Sequence, residues 1–509
     1  MTVSDSAFEK IFTSKLKLPW LLVITLFGIV LIGFVAAREP LWVIAALVGI
    51  VFVLILFKWP DTATLLVVFY IYINMGPVLM NFYDVPSYIA MGFPVLLGIP
   101  LIWHLLLKRE KIIITPVFQL ILLLLVIYTL GAVFSSDIKL ASRKLIDFFF
   151  EGVLIYFFIT NVIRTPVMLK RVVWALLICG ALIGGLSLYQ QVTNTFNNQY
   201  GGFAQVQSDF GTGVETLQGE VAQPRLSGSI GEKNRYAQNM LMLVPLGLFQ
   251  LFIYRSTWAR ILTLICTSLI IIGGALAFSR GAAVGFILLI LIMVLLRYIK
   301  LYQLVFLVLG AYLVLWLFPQ YGDRLSSLTV FTDVATTQDT SAISEADGAI
   351  RGRTTDILAA LAIFTDHPLI GVGPGMVPYY TQEYSRGIGF RYIKDDKEAH
   401  SLFPGIAAES GLLGLICFLA ILYISMRDLM RARTRWLQSH PDWSYLATAF
   451  FQVLVTYIAT GLFLHMSYMR FFYLMLALAV VASSFKETGE VEIEDTKTAK
   501  RTLPADIQV

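Results

Sequence analysis

The chain has 509 residues, of which 58% are hydrophobic and only 14% are charged. Soluble domains carry about a quarter charged residues, so this balance excludes an ordinary soluble globular protein and predicts an all-α, polytopic membrane bundle. The formal net charge of +5 is explained by basic loops that flank membrane spans, and it requires no nucleic-acid partner.

Apolar runs of about 17–25 residues, long enough to cross a bilayer, recur along the chain and predict twelve to fourteen transmembrane helices. They fall into an N-terminal group in residues 1–190, a central group in 236–318 and a C-terminal group in 402–485. The predicted spans are Leu18–Ala37, Leu41–Phe57, Thr62–Met80, Tyr88–Leu107, Pro116–Phe134, Ile146–Ile163, Val172–Tyr189, Tyr236–Tyr254, Ile261–Phe278, Ala282–Leu296, Tyr302–Phe318, Leu402–Ile424, Trp443–Leu464 and Tyr468–Phe485. We interpret the first as a retained span rather than a cleaved signal peptide.

Lysine and arginine in short loops indicate the orientation, because such loops resist translocation. Alternate loops carry most of these residues, among them Lys58, the Lys108–Lys111 run and the Arg427–Arg435 group. This asymmetry predicts that both termini are cytoplasmic and that two long segments, 191–235 and 319–401, face outward. The polar tail, 486–509, is predicted to be a disordered cytoplasmic segment.

Arginines near the outer ends of spans are candidates for binding an anion. Arg280 lies in Ser279-Arg280-Gly281 between two apolar runs, where a planar guanidinium can grip a phosphate or merely reach lipid headgroups. Arg353, with Arg351 as a fallback, is expected to open an amphipathic helix. In that helix Ile357, Leu361 and Phe364 recur at helical spacing.

A glycine-containing run, Pro368–Gly375, follows that helix. It lacks the lysine of a phosphate-binding P-loop, so we interpret it as a tight turn that packs backbone against the bundle. His400 stands just before the next apolar run and can act as a base at neutral pH, although a lone histidine there is also typical of an interface. Glu409 lies inside that run, where an acid is either functional or hydrogen-bonded to a neighbour.

Three further residues are supporting candidates. Asp147 and Glu151 are four residues apart, so they project from one helical face, where they can position an acceptor or pair with an arginine. Arg225 precedes a span together with two other cations, a pattern that fits either steering of an anionic group or a solvated loop. The three cysteines, Cys179, Cys266 and Cys417, lie in apolar runs without metal-ligand spacing, so no metal site is predicted.

The order of these motifs resembles the O-antigen ligase and polymerase superfamily of bacterial envelope glycosyltransferases. The resemblance rests on Ser279-Arg280-Gly281, on Arg353 fifteen residues ahead of Pro368, on the run from Asp366 to Gly373, and on His400-Ser401 followed by Glu409–Gly414. It covers roughly residues 225–420; the preceding spans match only as generic apolar helices.

The resemblance implies an inner-membrane, metal-independent transferase without a cofactor, acting on the periplasmic side. Its donor would be an undecaprenyl-diphosphate-linked glycan, and its acceptor a glycan or a lipid A core. Membrane lipids and polysaccharide-assembly proteins would be further partners. Carried over by motif, Arg280 and Arg353 would bind the diphosphate and His400 would be the base.

Polymerase and ligase remain alternatives within this family, and the large membrane part with two outer segments favours polymerase. A flippase for lipid-linked glycans is the main alternative outside it; that function predicts polar residues spread through mid-membrane positions. A non-enzymatic scaffold would leave Arg280, Arg353 and His400 without a role.

Overall fold

The computed structural model describes residues 56–207, 211–216, 219–222, 224–300, 302–303, 305, 309, 312, 348–388, 401–466 and 469–485. Several sequence predictions fall outside these residues. They are the span Leu18–Ala37, nearly all of Leu41–Phe57, most of Tyr302–Phe318, the tail 486–509, and His400.

Six helical segments precede the first long loop in the described part of the chain. They are α1 Pro60–Tyr72, α2 Met75–Tyr83, the irregular α3 Ser87–Leu107, α4 Pro116–Val133, α5 Ile138–Val162, and α6 Pro166–Thr193. A threonine followed by proline begins both α4 and α6. The Thr115 and Thr165 side chains accept hydrogen bonds from the amides of Phe118 (3.1 Å) and Met168 (3.2 Å). The proline that follows has no amide hydrogen to leave unpaired, so both helices start sharply.

The loop after α6 contains short strands that the sequence did not predict. β1 Gln205–Gln207 pairs antiparallel with β4 Arg225–Gly228, and β2 Gly211–Thr216 pairs antiparallel with β3 Gly219–Ala222. The β1–β4 pair fixes the position of Arg225 relative to the helices that follow.

The second half of the described chain is again helical. Its elements are α7 Lys233–Ile253, α8 Thr257–Ala275, α9 Arg280–Leu295, α10 Gly348–Asp366, α11 Val377–Ser385, α12 Leu402–Trp436, α13 Pro441–Gly461, and α14 Met469–Ser484.

The centre of the bundle is formed by α7, α13 and α14. Nearly every side chain of α14 is buried, and α7 and α13 pack together with Gln238 donating a hydrogen bond of 2.8 Å to the Thr460 hydroxyl. The peripheral helices are different, because α8 exposes Leu262, Leu264 and Ile265. In a bilayer such apolar surfaces face lipid.

Eight described helices are long and apolar enough to cross a membrane, and the bent pair α1–α2 makes a ninth; α9 and α14 are shorter apolar helices. Every predicted span that lies within the described residues corresponds to one of these. The polytopic helical fold is therefore confirmed. Asn74, at φ 62°, breaks the predicted span Thr62–Met80 into α1 and α2, which meet at 60°.

Two helices are longer than the apolar runs that predicted them, so these predicted boundaries were wrong. The helix predicted over Ile146–Ile163 begins at Ile138, and the one predicted over Leu402–Ile424 continues to Trp436. Charged residues occupy both extensions. A helix can continue past the end of its apolar run, because outside the hydrocarbon its basic side chains are solvated without breaking the backbone hydrogen bonds.

The connecting segments gather at two ends of the bundle. One end, here called the basic end, joins α1 to α6 through Asp61–Arg171 (3.1 Å) and α6 to α13 through Lys170–Asp442 (2.9 Å). The other, here called the loop end, holds the strands, the start of α12 and the turn between α13 and α14; Asn74 Nδ2 donates to the Ser229 carbonyl there at 2.8 Å. All candidate site residues in the described chain lie toward the loop end.

Candidate functional site

Arg280 is the first residue of α9 and is 7% exposed. The chain reaches it through residues 276–279, here called the arginine turn. The Ser279 side chain caps the helix by accepting from the Ala282 amide at 3.4 Å. A helix N-terminus carries a partial positive charge and unpaired amides, so it favours an anion at the same place as the guanidinium.

Arg225 holds the arginine turn from the side of β4. Its guanidinium donates to the carbonyls of Ala277 (2.8 Å) and Phe278 (3.0 Å) and to the Asn234 amide oxygen (3.3 Å). Phe278 has φ +49°, a left-handed conformation that is strained for a non-glycine residue. Because Arg225 is only 5% exposed, the solvated-loop interpretation was wrong, and the geometry favours a role in positioning Arg280.

Arg353 lies inside α10 rather than at its start, because the helix begins at Gly348, five residues earlier than expected. Its side chain is partly buried. Arg351 is helical in its backbone, but its side chain lies outside the described part of the structure.

The buried face of α10 differs from the predicted one. It is formed by Thr355, Asp356, Ala359, Ala360 and Ile363, whereas Leu361 is 43% exposed. Thr355, Ala359 and Ala360 are small enough to let α10 approach α12 closely, whereas Leu358 and Leu361 are exposed. The periodicity of the apolar residues predicted the helix but not which of its faces is buried.

The glycine loop, Pro368–Gly375, packs its backbone against the bundle, as the sequence predicted, and it does so at a break in α12 that the sequence did not predict. Gly411, at φ 64° and ψ −165°, interrupts the helix. The amides of Val372 and Gly373 donate to the carbonyls of Ala408 (2.9 Å) and Glu409 (3.0 Å), and the Leu412 amide donates to the Pro368 carbonyl (2.7 Å). The glycine loop therefore supplies hydrogen-bond partners for backbone groups of α12 that the break leaves without a partner inside the helix.

Glu409 belongs to this junction. Its carboxylate accepts a hydrogen bond of 3.0 Å from the Gly375 amide. That contact supports the structural interpretation of Glu409, as an acid that fastens the glycine loop to α12.

The beginning of α12 and the beginning of α9 meet at the same short segment, residues 461–466, which includes the last residue of α13 and the turn that follows it. Leu402 faces Gly461 so closely that a Cβ on the glycine would lie 3.0 Å from the leucine Cδ2. Gly281 faces Phe463 in the same way, at 3.2 Å. Since Leu402 follows His400 by two residues, these contacts bring the chain next to His400 and the helix start at Arg280 to one short segment.

Arg235 fastens that segment, a function the sequence analysis did not assign. It is 2% exposed; its guanidinium donates to the Gln238 side chain at 3.0 Å and to the carbonyl of His465. The only signal available in sequence was its place in the first turn of α7, just after the capping residue Glu232, whose carboxylate accepts from the Arg235 amide at 2.6 Å.

Asp147 and Glu151 lie elsewhere, at a cavity between α1, α2, α3, α5 and α14. Glu151 pairs with Arg470, which also donates to Asn74 at 2.7 Å. The expected pairing of this acidic face with an arginine is therefore confirmed for Glu151.

A hydrogen bond of 2.6 Å from the Tyr384 hydroxyl to Asp366 joins α11 to the end of α10. The Asp366 carboxylate accepts this hydrogen bond and so stabilises the protonated phenol of Tyr384. The bond raises the pKa of Tyr384 to about 12. Tyr384 therefore remains a donor throughout the physiological range. In the described part of the chain, no group of three or more His, Cys, Asp and Glu side chains is arranged to hold a metal ion.

Residues 265–419 match the family model described as O-antigen ligase. This segment is an O-antigen ligase domain. It spans most of α8, all of α9 to α11 and the first half of α12, and it contains Arg280, Arg353, His400 and Glu409. The match supports the O-antigen ligase and polymerase superfamily for this segment, and that family implies glycosyltransferase-type activity and a lipid-linked glycan substrate in general. No curated protein sequence is similar enough to this chain to count as a match.

Proposed function

We propose that this O-antigen ligase-type protein transfers glycan from an undecaprenyl-diphosphate-linked donor to a sugar hydroxyl at the outer face of the bacterial inner membrane. In this reaction the acceptor oxygen attacks the anomeric carbon while the bond from that carbon to the diphosphate oxygen breaks. The electron pair leaves with the lipid diphosphate, and the hydroxyl proton passes to the base.

The observation that carries the proposal is the buried guanidinium of Arg280 at the N-terminus of α9. Negative charge grows on the diphosphate as the bond breaks, and a pre-placed cation in a poorly hydrated site stabilises that charge without reorganising. Removing one such contact typically costs about 2.7–4 kcal/mol of transition-state stabilisation. Arg353 is proposed as the second diphosphate ligand, and Arg225 as the residue that positions the arginine turn.

His400 is proposed as the general base. Support comes from its place in the matched domain and from the packing of Leu402 against Gly461, beside the turn that also contacts Gly281. A positioned base contributes about 10²–10⁴-fold to the rate. Because guanidinium groups supply the positive charge, the proposed chemistry uses neither a metal nor a nucleotide cofactor.

The proposed orientation places the loop end, with segments 191–235 and 319–401, in the periplasm, and both termini in the cytoplasm. The basic end would then face the cytoplasm, as the distribution of lysine and arginine predicts. The lipid-linked donor can reach Arg280 laterally from the bilayer, and a glycan or lipid A-core acceptor can approach from the periplasm, with or without polysaccharide-assembly proteins.

Within this class we propose a polymerase, which joins one lipid-linked repeat to another. Deleting the gene distinguishes the two activities. A single repeat unit on the final acceptor supports the polymerase, whereas long polymer that accumulates on the lipid carrier overturns it in favour of a ligase.

The chemistry is tested by following lipid-diphosphate release from a synthetic lipid-diphosphate glycan by the purified protein. We expect Arg280→Ala to lower kcat by about 10²–10³-fold and His400→Ala by about 10²–10⁴-fold. The matched controls are Arg143→Ala, an exposed arginine on α5, and His440→Ala, at the basic end; both should keep normal turnover. Near-normal release by folded Arg280→Ala and His400→Ala proteins would remove the catalytic assignment.

A further inference from the structure

A cavity of about 440 Å³ lies between α1, α2, α3, α5 and α14, apart from the arginine turn. Its volume falls in the range of small-molecule sites, about 300–1,000 Å³. Most of the wall is apolar, and part of it is aromatic, with Tyr88, Phe150 and Phe158 among the lining side chains. A few polar groups converge at one side, which is the usual composition of a site that binds one orientation of an organic ligand.

The polar side of the cavity contains Asn74, Asp147, Glu151 and Arg470. Arg470 is committed to Glu151 and to Asn74, and Asn74 in turn donates to the Ser229 carbonyl. These bonds hold Asn74, Glu151 and Arg470 together and connect them to Ser229, the residue that follows β4. Asp147 remains solvent-exposed although it sits on a membrane-crossing helix, where a carboxylate is costly unless it faces water or a polar ligand.

The charges of the lining residues select against a phosphate. Two carboxylates and one guanidinium line the cavity, so a diphosphate would be repelled here, in contrast to the arginine turn. Lys144, one turn before Asp147, packs its stem on Gly375 and does not line the cavity. Carboxylates accept strong hydrogen bonds from hydroxyl groups, and aromatic rings present apolar faces to the C–H groups of a sugar.

We propose that this cavity binds the neutral sugar of a glycolipid. In this arrangement Asp147 and Glu151 accept from its hydroxyl groups, and its apolar chain lies along Val95 and Ile146. Both of these side chains line the cavity and are exposed at its rim, at 63% and 54%, where a chain can pass into the bilayer. The identification of this glycolipid as the acceptor rests on the proposed function. The proposal that the cavity binds a glycolipid does not rest on it.

Binding is tested with a photoreactive octyl glucoside, carrying a diazirine on its alkyl chain, added to the purified full-length protein in phosphatidylcholine nanodiscs. We expect labelled peptides from residues 87–95 and 146–158, and competition by unlabelled octyl glucoside. Asp147→Asn, which keeps the side-chain shape, and Val95→Trp, which fills the rim, should each lower labelling at least about fivefold.

The matched controls change the same residue types outside the cavity. Asp137→Asn alters a carboxylate on the same helix and keeps its cap, because an amide oxygen can still accept from the Leu140 amide. Val126→Trp alters a valine on α4 that is 55% exposed. Both should label like the unmodified protein.

Two results would overturn the proposal. One is absence of saturable labelling in these peptides. The other is equal labelling by photoreactive phosphatidylcholine or phosphatidylethanolamine that Asp147→Asn leaves unchanged, which would show that the cavity holds ordinary bilayer lipid.

In the release assay, Asp147→Asn should raise the KM for the acceptor about tenfold with the donor KM unchanged. Failure of release in the unmodified protein would count against the proposed function and leave the labelling result standing.

Discussion

Three of the buried arginines at the described loop end, Arg225, Arg235 and Arg280, serve two different purposes, although their sequence contexts look alike. Arg225 and Arg235 donate to backbone carbonyls of the arginine turn and of the turn at His465, so each orders a segment of chain. Arg280 stands between these segments, at the start of a helix. A buried guanidinium with five donors can fix several carbonyls at once, which explains why arginine rather than lysine occupies the two fastening positions.

Arg225→Ala is predicted to lower the kcat of lipid-diphosphate release by about tenfold or more, with a smaller change in donor KM. The Ala277 and Phe278 carbonyls would lose the hydrogen bonds from Arg225, and each bond from a charged donor contributes about 1.5–3 kcal/mol. The strained backbone before Arg280 would then relax and move the guanidinium. Steady-state kinetics, measured well below the unfolding temperature, checks this expectation.

Arg225→Lys provides the discriminating comparison, because an ammonium can reach one of the two carbonyls and should restore part of kcat. The exposed Arg143→Ala serves as the control. If folded Arg225→Ala turns over normally, the positioning role is refuted.

At the scale of elements, the break in α12 determines how the neighbouring segments of the loop end pack together. Gly411 turns the chain out of helical geometry, and the amides of the glycine loop pair with the carbonyls just before the break. The first part of α12 can therefore contact α13 through Leu402 and Gly461, while the remainder continues as a membrane span. The short helix before the break also packs on α10 through Ala408, which shares a buried apolar cluster with Ala360 and Ile363.

Gly411→Ala is predicted to destabilise the protein by at least about 1–3 kcal/mol, the cost of holding a non-glycine residue in a sparsely populated backbone region. The clash adds to this cost, because the new Cβ would lie 2.2 Å from the Leu369 carbonyl carbon. Thermal unfolding in detergent should show a lower Tm.

Gly387→Ala is the matched control. Among the described residues, its Cβ would come within 4 Å of the Tyr384 carbonyl oxygen alone, at 3.9 Å, and its Tm should be unchanged. An equal Tm for both variants would contradict the role assigned to the break.

At the scale of the whole molecule, the charged residues at the two ends of the bundle differ in their exposure and in their role. The basic end collects ion pairs of exposed or half-exposed residues, such as Arg171–Asp61, which contribute little to stability individually. The loop end collects buried arginines, a broken helix and a cavity. This division fits an enzyme whose chemistry occurs at one membrane face.

The proposed orientation predicts opposite labelling of two single cysteines. Gly387→Cys, at the loop end, should react with a membrane-impermeant maleimide in intact spheroplasts, and Arg431→Cys, at the basic end, only after permeabilisation. Cys179, Cys266 and Cys417 are buried and should give no background. The reverse pattern would invert the topology and exclude periplasmic chemistry.

The sequence by itself determined the class of fold, the positions of most spans and the motifs of the matched domain. Long apolar runs must be helical in a bilayer, since only a helix satisfies the backbone within one segment. The functional motifs were readable for a similar reason: a charge or an imidazole beside an apolar run is costly to place there, so it stands out from its surroundings.

Only the tertiary structure decided which face of α10 is buried, where Arg225 and Arg235 direct their hydrogen bonds, and that Asp147 and Glu151 belong to a separate cavity. These outcomes depend on close approach between segments far apart in the chain, such as Arg225 with Ala277 and Arg470 with Glu151. Local periodicity reports on a residue's own helix. It carries no information about the distant carbonyl or carboxylate that the folded chain brings within hydrogen-bonding distance.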